Sequence, residues 1–286
     1  MILVIENFSN GFLDDYLANF KDKRLLTWEK RLKICIDVAH GLHYIHSQME
    51  DQKMIINRDI CSYNIGLDEN WEARIVHFAF SVVLPLDQKD EALYLNVIGT
   101  KYYIDPEYKK TNKVKRESDV YGFGVILLEI LFGRLANDPI YLKESDIGLA
   151  PIARRSFGAR TFEEMIDPII KEEISENNFV LNRGPNKDSL QTFITIAHQC
   201  VAETQDQRPT MKVVVKELEK ALLFQVRHCI KDRVHGPDIH HIVTKHEKAL
   251  ELEKALELQL RHENLVRPFF LLYYLFIYHS CIGILL

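Results

Sequence analysis

The sequence predicts a mainly α-helical protein with small β-hairpins, and three stretches carry that reading. From Thr27 to Ser47 the apolar residues recur at helical spacing, and Glu117 to Phe132 is apolar nearly all round. Between residues 54 and 83, short apolar runs alternate with polar turns.

Taken in order, Met1 to Ile5 reads as one short strand, and Asn7 to Gly11 is a breaker cluster that turns the chain into Phe12 to Asn19. Thr27 is placed to cap the long helix, in which Leu32, Ile36, Ala39, His43 and Ile45 share a core-facing stripe. Met54 to Ile56, Ile65 to Leu67 and Ala73 to Val76 are too short for helices and are assigned to small hairpins. The apolar run Glu117 to Phe132 is expected in the middle of a helical domain, and further helices are expected at Thr161 to Ile166, Ser189 to Ala202 and Met211 to Arg227.

With 286 residues, 47% hydrophobic and 27% charged, the chain has a globular composition and can bury a sizeable core. Its 36 basic and 41 acidic residues leave a formal charge of −5, which argues against a nucleic-acid partner. Collagen, disulfide scaffolds and multi-span membrane proteins are excluded on the same composition. The five cysteines are scattered and never form a Cys-x-x-Cys pair, so a reducing, cytosolic setting is expected. Met1 to Ile5 lacks a basic leader and a signal-peptide core, so no secretory signal is expected.

The C-terminal quarter differs in character. Residues 217–228 (ELEKALLFQVRH) recur at 251–262 (ELEKALELQLRH) with nine of twelve identities, and this mixture has high helix propensity. Pro268 then begins a stretch to Leu286 without a charged residue, near the length that spans a bilayer, with Arg261 and Arg267 on the side that a cytosolic flank would carry.

The chemistry-bearing residues begin at Asn57. The run Asn57 to Asn64 (NRDICSYN) differs at one motif position from the His-Arg-Asp-x-x-x-x-Asn catalytic loop of protein kinases, and His77-Phe78-Ala79 stands eighteen residues beyond Asp59, where that family has Asp-Phe-Gly. Gly99-Thr100 and Asp105-Pro106-Glu107 resemble the end of an activation segment, and Ser118 to Gly124 resembles the buried helix behind it. Gln207-Arg208-Pro209-Thr210 resembles the stretch whose arginine pairs with Glu107. Five motifs in order make the chain similar to plant receptor-like serine/threonine kinases from Met1 to about Gln225.

The resemblance implies a hinge or strand remnant over residues 1–10, a kinase-like C-terminal lobe over 11–228 without most of the N-terminal lobe, a duplicated helical extension over 229–267 and an apolar tail over 268–286. It gives Asp59 the place of the catalytic base, beside Arg58, and Asn64 that of a magnesium ligand. Glu6 and Phe8 fall on the hinge that meets the nucleotide, and Gly66 where an aliphatic side chain normally lies beneath adenine. Glu107, Asp119 and Arg208 are implied to be structural, with Asp119 beneath the catalytic-loop backbone.

Several positions depart from the pattern. His77 replaces the magnesium-binding aspartate, and imidazole suits a hard cation poorly. Cys61 replaces a lysine, Asn57 the loop histidine and Ala79 a glycine. The Gly-rich loop, strand lysine and partner glutamate that the family places upstream have no counterpart in this chain. His40, His43 and His46 drift round one helix and are expected to lack carboxylate companions, so no metal site is assigned to them.

The leading expectation is a catalytically impaired, kinase-like signalling module in the cytosol that works by binding proteins such as other kinases or receptors, with no cofactor, and with residues 268–286 as a membrane tail anchor. One alternative is an active serine/threonine kinase using ATP and magnesium. Another is a truncated gene product.

Overall fold

The structure, a computed structural model, describes residues 8–19, 21–47, 49, 52–85, 87, 93–144, 146, 148–171 and 184–233. Met1 to Ile5, Glu6, the second copy of the duplicated helix and residues 268–286 lie outside them. The chain divides into one unit over residues 1–226 and another over 227–286, and of the second only 227–233, the end of a helix, is described.

Strand β1 (Gly11–Phe12) and helix α1 (Leu13–Leu17) open the described chain, the Asp15 carboxylate accepting from the Phe12 amide at 3.1 Å. Helix α2 (Trp28–Ser47) follows, and the Thr27 hydroxyl accepts from the Lys30 amide at 3.3 Å, the capping expected of threonine at that position. Its inner stripe, including Leu32, Cys35, Ala39 and Leu42, is fully buried.

Strands β2 (Lys53–Ile56), β3 (Ile65–Leu67), β4 (Ala73–Ile75) and β5 (Val82–Pro85) occupy the segment that sequence assigns to hairpins. Only β3 and β4 form a hairpin of sequence neighbours. β2 pairs antiparallel with β5 across the whole intervening segment, and β1 adds to β3, giving the order β1-β3-β4. The reason is geometric: β2 delivers the chain into the loop that starts at Asn57, and β5 brings it back from the segment beyond β4.

Strand β6 (Leu93–Tyr94) pairs with β7 (Lys113–Val114), and helix α3 (Pro106–Thr111) lies between them. Helix α4 (Arg116–Phe132) is buried at every residue from Ser118 to Phe132, as an all-round apolar helix must be, and it packs against α2, against α6 (Leu149–Ser156) and against α9 (Lys187–Cys200). It ends at Gly133, whose φ of +65° and contact with Asp167 exclude a side chain.

Three short helices follow, α5 (Pro139–Leu142), α7 (Arg160–Met165) and α8 (Pro168–Lys171), with α10 (Met211–Arg233) last. The Gly122-Phe123-Gly124 step is packing. A Cβ at Gly122 would stand 2.6 Å from the Ile60 carbonyl oxygen, and one at Gly124 would stand 2.7 Å from Cys200 Cβ. Among the described residues no helix is long and apolar enough to cross a membrane.

Candidate functional site

Strand β2 ends at Ile56 and hands the chain to Asn57, Arg58 and Asp59 in an irregular loop. Arg58 has φ +71°, a left-handed conformation that a non-glycine residue holds only when its surroundings insist. Asp119, from the first turns of α4, supplies that insistence. Its carboxylate accepts from the Asn57 amide at 2.7 Å and the Arg58 amide at 2.8 Å, and the His46 ring nitrogen lies 2.9 Å from it. All of this is buried, Asp119 being 1% exposed. Asp119 thus lies beneath the loop backbone.

Asp59 is 8% exposed, and both of its carboxylate oxygens are taken. Thr100 donates its amide (2.8 Å) and its hydroxyl (2.7 Å) to Oδ1, while Asn64 donates its side-chain amide to Oδ2 at 3.0 Å. The His77 ring Nδ1 lies 3.2 Å from the same Oδ2. The structure therefore brings Asp59, Asn64, His77 and Thr100 into one cluster, with His77 half-exposed beside it. Asn57 completes the frame: its amide donates to the His77 carbonyl at 2.6 Å and its oxygen accepts from the Asp59 amide at 3.0 Å.

The cluster can be tested against a magnesium ion. That ion wants an octahedron of oxygens, usually including carboxylates. The cluster offers one amide oxygen on Asn64, an imidazole on His77, and a carboxylate already saturated by internal donors. This donor set does not fit the ion. Among the described residues no group of three or more His, Cys, Asp and Glu side chains could hold a metal.

Cys61 is buried under Thr100, whose hydroxyl also lies 3.6 Å from its sulfur. Burial, then the nearby Asp59 charge, push this thiol up to about 12, so it is a neutral packing group and supplies no positive charge. Arg58 turns away from Asp59. Its guanidinium donates to the carbonyls of Phe80 (3.2 Å) and Asn96 (2.7 Å) and to the Tyr108 hydroxyl (2.6 Å), fastening both ends of the intervening segment to the loop.

Two expectations are corrected. Arg208 does not pair with Glu107: its guanidinium meets Asp105 at 2.7 Å, with both side chains fully buried. Asp105 stands one residue before α3, facing the interior, where it also accepts from Ser118, Gln205 and the Glu107 amide. Glu107, half-buried on the first turn, instead accepts from the Gln205 amide at 2.7 Å and pairs with Lys113 at 3.6 Å. Burial alone raises the Asp105 pKa, but Arg208 and its other donors outweigh that and hold it below the usual carboxylate value. Nor do the α2 histidines lack carboxylates, since His40 lies 3.2 Å from Glu219 and His46 meets Asp119. Packing between distant elements creates both pairings.

Gly66 is buried in β3 and Phe8 lies over it, while Glu6 is outside the described residues. Sequence reasoning missed the fully buried pair Arg31–Asp167 (2.7 Å) and the cluster of Glu129, Tyr103 and Ser62. Arginine at 31 and glutamate at 129 inside apolar helical patterns were the available signals.

A family model described as protein tyrosine and serine/threonine kinase matches residues 1–218. The chain is 38% identical over 226 residues to a probable receptor-like protein kinase of Arabidopsis thaliana, covering 79% of this chain and 25% of that protein. It is 36% identical over 217 residues to the calmodulin-binding receptor-like cytoplasmic kinase 3 of the same plant, covering 76% of this chain and 40% of that protein. It is also 36% identical over 227 residues to the nodulation receptor kinase of Pisum sativum, covering 78% of this chain and 23% of that protein. The chain thus spans between about a quarter and two-fifths of these relatives' lengths.

Proposed function

This chain belongs to the protein tyrosine and serine/threonine kinase family, among the receptor-like kinases of plants, and from that premise we propose that it is a catalytically impaired signalling module that works through protein contacts. The carrying observation is the donor set beside Asp59: where the kinase pattern has a magnesium-binding carboxylate the chain has the His77 imidazole, and Asn64 adds only one amide oxygen.

Phosphoryl transfer draws almost entirely on positioning and electrostatic stabilisation, so the residues that neutralise phosphate charge decide its rate. His77 in place of a carboxylate removes a ligand for the metal ion that would neutralise that charge, and Cys61 in place of a lysine removes a positive side chain. Both positions lie inside the chain, whatever precedes Met1. Asp59 and Asn64 are retained, which favours the alternative of an active serine/threonine kinase using ATP and magnesium.

For the module, the loop serves as a frame. Asp59 and Arg58 pin the segment from Phe80 to Tyr108, which presents the exposed side chains of Tyr94 and Val97. Residues 268–286 are proposed to anchor the module to the cytosolic face of a membrane.

Thermal melting of the full chain tests the reading, because a ligand that binds only the folded state raises the midpoint. Millimolar ATP with magnesium is expected to leave the wild-type melt unchanged. Magnesium-dependent stabilisation of the wild type by ATP would refute the impaired reading.

A further inference from the structure

A Cβ built on Gly66 would stand 2.6 to 2.7 Å from three carbons of the Phe8 ring, closer than any side chain can tolerate. The Phe8 ring, from elsewhere in the chain, therefore occupies the space that a side chain at position 66 would need. The ring is held there by a tight turn. The Gly11 amide donates to the Phe8 carbonyl at 2.7 Å, and Gly11 has φ +74°, which favours glycine.

The turn is anchored to β3 and the bend after it. The Asn10 amide donates to the Leu67 carbonyl at 3.1 Å, and its side-chain amide donates to the Asp68 carbonyl at 2.7 Å. Phe12 pairs with Gly66 across the two strands, and its ring lies 5.8 Å from that of Phe8.

From this packing we propose that Phe8 is a built-in occupant of the base-binding end of the cleft. Its ring takes the volume that the kinase pattern divides between an aliphatic side chain at position 66 and the planar base above it. The inference rests on the impaired-module reading and deepens it by naming the group that keeps the base out. The ligand class is a planar aromatic heterocycle, admitted only when the ring leaves.

The test uses the full chain with adenosine, which carries the base without phosphate and so needs no metal. Wild-type protein is expected to show no thermal shift, and Phe8→Ala to gain about 4 °C at roughly ten times its Kd. Phe8→Leu, nearer in volume, keeps the test decisive if the alanine variant fails to fold, and is expected to gain a smaller shift. If the folded variants show no shift, or the wild type shifts as much as they do, the proposal is overturned.

A second readout needs no ligand. Gly66→Leu should overpack against the ring and lower the melting midpoint, and the loss should shrink in the Phe8→Ala background. Equal losses in the two backgrounds would also overturn the proposal. Failure of the underlying reading looks different: ATP with magnesium would stabilise the wild type, whatever adenosine does to Phe8→Ala.

Discussion

Removing the Arg208 guanidinium should be among the most damaging single changes in this fold. The group is fully buried and makes four kinds of contact: Asp105 at 2.7 Å and the carbonyls of Ala202 (2.9 Å), Glu117 (3.0 Å) and Glu203 (3.1 Å). Arg208→Ala strands the Asp105 carboxylate, also fully buried, with only neutral donors from Ser118, Gln205 and the Glu107 amide. Breaking such a pair costs about 3 to 5 kcal/mol. In a domain of this size each kcal/mol moves the midpoint by roughly 2 to 4 °C, so a fall of about 10 °C is expected.

Glu107→Gln is the control. Glu107 is half-buried, its ion pair with Lys113 is long at 3.6 Å, and glutamine can still accept from the Gln205 amide, so the cost should stay near 1 kcal/mol. Thermal unfolding of the full chain, followed by far-ultraviolet circular dichroism, measures both. An Arg208→Ala midpoint equal to wild type, or a Glu107→Gln loss as large as that of Arg208→Ala, would refute the assignment of Asp105 as the partner. Asp59→Ala should also cost measurable stability, because donors from Thr100 and Asn64 and the His77 ring nitrogen converge on it.

Three further outcomes are expected. Glu129 is fully buried, and burial raises its pKa from 4.5 to about 8 against the opposing hydrogen bonds from Tyr103 and the Ala136 amide, so its folded form holds a proton that its unfolded form releases. Stability is then complete below the unfolded value and is lost at roughly 1.4 kcal/mol per pH unit as pH rises from about 4.5 to about 8. Glu129→Gln should flatten that decline in urea midpoints measured across the range, and an unchanged slope would contradict it. Gly122→Ala should destabilise the protein by about 1 to 3 kcal/mol, because its methyl would meet the Ile60 carbonyl oxygen at 2.6 Å, and a neutral melt would show that the loop yields. Finally, a fluorescent protein fused to the N-terminus should fractionate with membranes only when residues 268–286 are present, and a soluble full-length fusion would remove the anchor.

The helices were legible in the sequence wherever one periodic pattern decides them. The α2 stripe, the all-round apolar α4, and the amphipathic runs of α9 and α10 each depend on contacts three or four residues apart, which composition reveals directly. Helix α6 and the short helices α3, α5 and α8 were missed because a turn or two of helix has no period to read and exists by docking on the core. The members of the site were also readable, because Asn57 to Asn64 and His77 lie at intervals set by a recognisable motif.

What only the tertiary structure decided is who meets whom. Strand β2 finds β5 rather than a neighbour, and Arg208 chooses Asp105 over Glu107 two residues away, because burial rewards the carboxylate that faces the interior. Asp59 accepts from Thr100, forty-one residues away, and the side-chain space at Gly66 is filled by Phe8, fifty-eight residues away. Sequence names a residue's chemistry, whereas its partners depend on how distant segments pack, and no local pattern carries that information.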